Sequence, residues 1–256
     1  MNRKSLWIFI GWVTIAVLMI GCKDRSPGNP VETKVGVDKA EGILSDDTSG
    51  SAIDSPQYPE ATTVIIAIGD SITYGQGASG GGYPSMLQEK LLAAGYTVVV
   101  LNAGIRGERA YSTHERWLQE IADADIALLM IGINDLLNPG HCHEPYDCHT
   151  AEYIEAMINE ALISKKIPLV STVTPAKTTD VRAWVNPYIR SLNARIESLA
   201  TQYNIPLVDN YQAIRDNGGD ALYSDHVHFS DTGYNIIAQQ WFDAIVNGKL
   251  IETARE

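Results

Sequence analysis

The chain has 256 residues, enough for one domain of ordinary size with a segment to spare. Apolar residues make up 45% and charged residues 20%, an ordinary globular composition, and the formal charge is −12. An acidic surface of this kind repels phosphate backbones and anionic headgroups, which argues against nucleic acid as a partner and leaves the substrate open.

The N-terminus reads as an export signal. Arg3 and Lys4 precede an apolar run from Leu6 to Gly21, followed by Cys22. That run is shorter than the roughly 20 residues that span a bilayer. Its end, Met19-Ile20-Gly21-Cys22, resembles a bacterial lipobox, which makes residues 1–21 a lipoprotein signal peptide and Cys22 the lipidated first residue. The expected location is outside the cytoplasm, lipid-anchored to a bacterial membrane and facing the periplasm or the exterior. Residues 22–60 form the lipidated cysteine and a linker rich in Asp, Ser, Gly, Pro and Glu. This composition cannot bury enough apolar surface to offset its ordering entropy.

The folded domain is expected over residues 61–250, with 251–256 as a tail. Thr63 to Ile68 is a β-branched apolar run, a buried strand. Tyr83 to Ala94 reads as a helix stopped by Gly95, and Thr97 to Leu101 as a second strand. Glu115 to Ala122 is helical and Ile126 to Ile131 is a third strand. Ile154, Met157, Ile158, Ala161 and Leu162 recur at helical spacing within Ala151 to Ser164. Leu169 to Val173 is a fourth strand, and Val185, Tyr188, Ile189, Leu192, Ile196 and Leu199 mark one face of a long helix. Ile205 to Val208 is a fifth strand, and a last helix runs from about Thr232 to Ile245. Alternating helices and unbroken apolar strands predict an α/β fold, a three-layer α/β/α sandwich on a five-stranded parallel sheet of flavodoxin-like type. Ligands in such sheets bind beyond the carboxyl ends of the strands, so the loops after the strands are where chemistry belongs.

Those loops carry Gly69-Asp70-Ser71, Asn102-Ala103-Gly104-Ile105-Arg106-Gly107, Gly132-Ile133-Asn134-Asp135 and Asp225-His226-Val227-His228. Acyl transfer needs these types. A serine hydroxyl becomes nucleophilic when an imidazole takes its proton, a carboxylate fixes the imidazole's tautomer, and nearby N–H donors meet the oxyanion. His226 and His228 share a face in an extended segment, and the Asp-x-x-His spacing selects His228. Asp70 and Asp135 read as loop acceptors, Asp135 steadying the Asn134 loop. Trp117 and Trp241 read as core, whereas Tyr74, Tyr83 and Trp184 lie near loops that could line a pocket.

The four blocks, in this order over residues 63–247, resemble those of SGNH (GDSL-type) hydrolases, most closely the small bacterial esterases of arylesterase and thioesterase/lysophospholipase type. The resemblance implies Ser71 as nucleophile, His228 as base and Asp225 as its orienter. It further implies an oxyanion hole from the Ser71 amide, the Gly107 amide and the Asn134 side chain, and no cofactor or metal. The second block reads Gly107-Glu108-Arg109 where many relatives have Gly-Asp-Thr or Gly-Asp-Ser, and Phe229 stands after His228 where Pro is frequent. The expected partner is an acyl-ester substrate: an O-acetylated glycan, a lysophospholipid or a small acyl ester. Transfer to an acceptor, or a non-catalytic binding module on this scaffold, stays open. Cys142 and Cys148 are expected as a disulfide in the exported compartment, ahead of a zinc site built with His141, His143 and His149.

Overall fold

The computed structural model describes Pro59, residues 62–138 and residues 148–256. All fall within one compact unit, Ser55–Glu256. The signal peptide, Cys22 and, apart from Pro59, the linker expected at 22–60 lie outside the described residues.

Five parallel strands form one sheet in the order β2-β1-β3-β4-β5. They are β1 (Thr63–Gly69), β2 (Val98–Gly104), β3 (Ile126–Met130), β4 (Ile167–Ser171) and β5 (Leu207–Val208). In the centre, β1 and β3 are buried on both faces, as their unbroken apolar runs require. Between them run α1 (Ser71–Tyr74), α2 (Gly82–Ala93), α3 (Ala110–Glu120), α4 (Ile133–Leu137), α5 (Thr150–Ile163) and α6 (Asn186–Tyr203). After β5 come α7 (Asn210–Asp216), α8 (Asp231–Asn247) and α9 (Leu250–Thr253). Contacts join α3 to α5 and α5 to α6 in one layer, and α2 to α8 and α7 to α8 in another. Each longer helix turns an apolar stripe inward, such as Tyr83, Leu87 and Leu91 on α2 and Tyr234, Ile237, Trp241 and Ile245 on α8. Trp117 and Trp241 are fully buried. Tyr83 is also fully buried and stacks on Trp241 at 6.1 Å, so it is core and not pocket wall.

Several boundaries differ from those read in the sequence, each for a tertiary reason. Helix α3 starts at Ala110, well before Glu115, because the Asp135 carboxylate of a different loop accepts from the Ala110 amide at 3.2 and 3.3 Å. That supplies the first turn with an acceptor its own neighbours lack. Strand β4 begins at Ile167, and Pro168 pairs with Ala127 inside the ladder. It ends at Ser171 because the Asn193 side chain takes over beyond it, accepting from Val173 N and donating to Val173 O. Strand β5 shrinks to two residues at the sheet edge, where Pro206, lacking an N–H, still accepts from Val170 N. Helix α7 was not read in the sequence. Residues 251–256, expected as a tail, begin inside α9, with Leu250 and Ile251 buried against the domain.

Candidate active site

The chain runs from β1 to one neighbour, β2, and then crosses to the other, β3, so the sheet's switch point lies at the carboxyl end of β1. Gly69, Asp70 and Ser71 occupy it. Asp70 caps α1: its Oδ1 accepts from Ile72 N at 2.8 Å, which starts a helix within one residue of the strand's end. This short helix presses against the end of β2, where a Cβ on Gly104 would lie 2.1 Å from Tyr74 N. Glycine at 104 is thus what lets the Ser71 turn sit against the sheet.

The structure brings Ser71, His228 and Asp225 together. Ser71 Oγ lies 2.8 Å from His228 Nε2, and His228 Nδ1 lies 2.6 Å from Asp225 Oδ2. The other carboxylate oxygen, Oδ1, accepts from Val227 N at 2.9 Å and His228 N at 2.8 Å, so the Asp-x-x-His segment folds back on itself. With Nδ1 protonated toward Asp225, Nε2 offers its lone pair and the Ser71 hydroxyl donates to it. Partial burial alone would raise the Asp225 carboxyl, but the His228 ring and the two amides outweigh it and hold the group down at about 2. Asp225 therefore stays an anion beside the imidazole throughout the neutral range.

The other two oxyanion donors that the resemblance implies, Gly107 and Asn134, come from the next two loops. Gly107 has a φ of +76, a left-handed turn that glycine adopts without strain. Asn134 Nδ2 donates to Glu108 O at 2.9 Å, tying the Asn134 loop to the Gly107 loop and leaving its second N–H for another acceptor. Asp135 makes the second tie, through Ala110 N. Neither the Ser71 nor the Gly107 amide has a hydrogen-bond acceptor among the described residues.

The Gly107-Glu108-Arg109 departure has a structural counterpart. Glu108 is buried and gripped in bidentate fashion by Arg116, Nε to Oε1 at 2.8 Å and Nη2 to Oε2 at 2.6 Å, while Thr113 Oγ1 also donates to it. Arg116 further donates to Ala103 O, so the pair fastens the loop to β2. Phe229 is fully buried against Tyr223 and Tyr234 and is packing, not pocket wall. His226 lies half-buried beside His228, with ring centres 6.3 Å apart. Tyr74 is half exposed, and the Arg106 guanidinium lies 5.9 Å over its ring.

Burial raises Asp70 to about 7, with Asp135 and Glu108 adding to the effect against the Ile72 bond, and burial raises Asp135 to about 6. Two carboxyls behind the nucleophile are thus protonated more readily than an ordinary Asp. Cys148 is in a disulfide. Its expected partner Cys142, and His141 and His143, lie outside the described residues.

Sequence reasoning passed over Gln76, which follows α1. Its Oε1 accepts from Arg106 Nε at 2.7 Å, and its Nε2 sits 3.2 Å from His228 Nδ1. That nitrogen's proton is committed to Asp225, so the second approach is a packing contact. No spacing in the sequence marks Gln76, whose place is set by Tyr234, which donates to the Gln76 carbonyl from α8.

A parallel α/β domain with a Ser–His–Asp chain at its switch point defines a hydrolase that works on acyl groups. The model of the GDSL-like lipase/acylhydrolase family matches residues 67–236, more than half of the chain, and the protein belongs to that family, as a carboxylic ester hydrolase. The curated proteins gave no match. Among solved structures, the chain is similar to a lipase/acylhydrolase from Enterococcus faecalis at 23% identity and TM-score 0.63, covering 73% of this chain and 96% of that one. An acetylxylan esterase from Geobacillus stearothermophilus aligns at 22% identity and TM-score 0.62, over 72% and 94%. A GDSL-like lipase from Bacteroides thetaiotaomicron aligns at 24% identity and TM-score 0.57, over 73% and 89%. At these identities the likeness establishes the shared fold.

Proposed function

We propose that the protein is an exported, lipid-anchored serine esterase that removes short acyl groups from glycans through an acyl-serine intermediate. The observation that carries the mechanism is the unbroken hydrogen-bonded chain from Ser71 through His228 to Asp225. Ser71 Oγ attacks the ester carbonyl as its proton passes to His228 Nε2, and Asp225 stabilises the imidazolium. The amides of Ser71 and Gly107 and the free N–H of Asn134 receive the oxyanion. Collapse expels the alcohol, which takes the proton from His228, and leaves an ester on Ser71. Water then attacks with His228 again as base, and the acid leaves with Ser71 restored.

The glycan reading is supported by the acetylxylan esterases among the similar structures and by the export signal. The lipobox-like Met19-Ile20-Gly21-Cys22 supports the anchor, for which several acyl chains on one cysteine supply stable membrane attachment. The test is hydrolysis of p-nitrophenyl acetate, butyrate and octanoate, beside acetate release from acetylated xylan, by wild type and Ser71→Ala. Fast cleavage of acetate, slow cleavage of octanoate and acetate release, all lost in Ser71→Ala, are expected. A preference for octanoate or a lysophospholipid would overturn the glycan reading and leave the esterase.

A further inference from the structure

A second concavity adjoins the loop that carries Asp225 and His228. Its volume is about 400 Å³, and Arg190, Tyr211, Ile214, Arg215 and Tyr223 are among the residues that line it. It is built onto the triad loop. Tyr223 stands two residues before Asp225 and donates to Pro175 O from one wall, and Lys177 N donates to His226 O across the same seam. The seam is firm, because Asn186 clasps Ala176 through both its N–H and its carbonyl.

Two features give this cavity a chemical preference. Arg190 and Arg215 come from different helices, α6 and α7, yet border one space, and neither guanidinium has a carboxylate within 4 Å among the described residues. Asp220, the acidic residue of the lining, is already engaged within the wall: its oxygens accept from Thr178 N, Thr178 Oγ1 and Thr179 N. Arg215 is held over the Tyr211 ring at 5.7 Å, which orients a planar donor fork before any ligand arrives. Aromatic and apolar walls beside two cationic forks suit a sugar ring bearing a carboxylate better than a neutral sugar.

We infer that this cavity is a subsite for a uronate unit of an acidic glycan, engaged while a neighbouring acylated unit of the same polymer occupies the Ser71 site. The inference rests on the glycan reading above and narrows it to acidic polymers. Wild type, Arg215→Ala and Arg190→Ala/Arg215→Ala are compared as full chains. The substrates are p-nitrophenyl acetate, acetylated xylan and acetylated polygalacturonate, and binding of trigalacturonate and of inorganic phosphate to each protein is followed by calorimetry. The expected result is a lower KM for acetylated polygalacturonate than for acetylated xylan. The double variant raises the former about tenfold, as two partly exposed ion pairs allow, and leaves p-nitrophenyl acetate turnover unchanged. Trigalacturonate binds wild type and not the double variant. Equal KM values in wild type and double variant, or undiminished trigalacturonate binding, would overturn the subsite. Phosphate binding in place of trigalacturonate would overturn the uronate assignment. If wild type cleaves p-nitrophenyl acetate but no acetylated glycan, the glycan reading fails, and the calorimetric comparison still decides whether the pocket holds a uronate.

Discussion

Ser71 Oγ and His228 Nε2 stand 2.8 Å apart although 157 residues separate them in the chain. One is fixed by a helix that starts at the end of β1, the other by an Asx-type turn beyond the last strand. Neither depends on a flexible loop tip, so the contact is present before substrate arrives.

Asp225 holds the imidazole by one oxygen and its own loop by the other. Asp225→Asn keeps the shape but removes the anion and allows the wrong imidazole tautomer. A fall in kcat of about 10⁴-fold on p-nitrophenyl acetate is expected, with KM little changed. A loss under about tenfold would mean that Asp225 only positions the loop.

Asn134 offers one N–H to Glu108 O and, in this account, the other to the oxyanion. Asn134→Ala is expected to lower kcat by about 100- to 1000-fold with a small change in KM. A variant that melts like wild type and turns over like it would remove Asn134 from the oxyanion hole.

Arg116→Ala would leave the buried Glu108 carboxylate without its guanidinium. Breaking such a pair from one side costs about 3 kcal/mol or more, measurable by urea unfolding. A cost near that of an exposed pair, about 0.5 kcal/mol, would show the Glu108 loop to be held by its other contacts.

The raised carboxyls set a pH dependence of stability. Asp70 at about 7 and Asp135 at about 6 lie above the roughly 3.9 of an unfolded Asp, so the folded state holds protons the unfolded chain has lost. Their contribution is complete below about pH 4 and declines as pH rises through about 7. Asp225 has the opposite sign, contributing above about pH 4 and failing only toward about 2, outside this window. Thermal melts are expected to show a lower Tm at pH 8 than at pH 5. Asp70→Asn, which keeps a good helix cap, should flatten that fall. An unchanged slope in the variant would contradict the assignment to Asp70.

The central strands, the longer helices and the four loop blocks were legible because each writes a local pattern: unbroken β-branched runs, apolar residues three and four apart, and glycines where the chain turns. What escaped was set by distant partners. The start of α3 depends on Asp135, the end of β4 on Asn193, and the burial of Phe229 on Tyr223 and Tyr234. Gln76 reached the site through Tyr234, and Arg190 and Arg215 share a cavity only once α6 and α7 are folded. Pro168 misled because a proline reads as a breaker, yet it sits inside the parallel ladder opposite Ala127.

The central claim is a covalent acyl group on Ser71. Wild-type protein mixed with p-nitrophenyl acetate and quenched in acid within one turnover should yield a peptide containing Ser71 that carries an acetyl group, absent in Ser71→Ala. Acetate release at the full rate with no acetyl on that peptide, or acetylation of another residue that survives Ser71→Ala, would contradict the account.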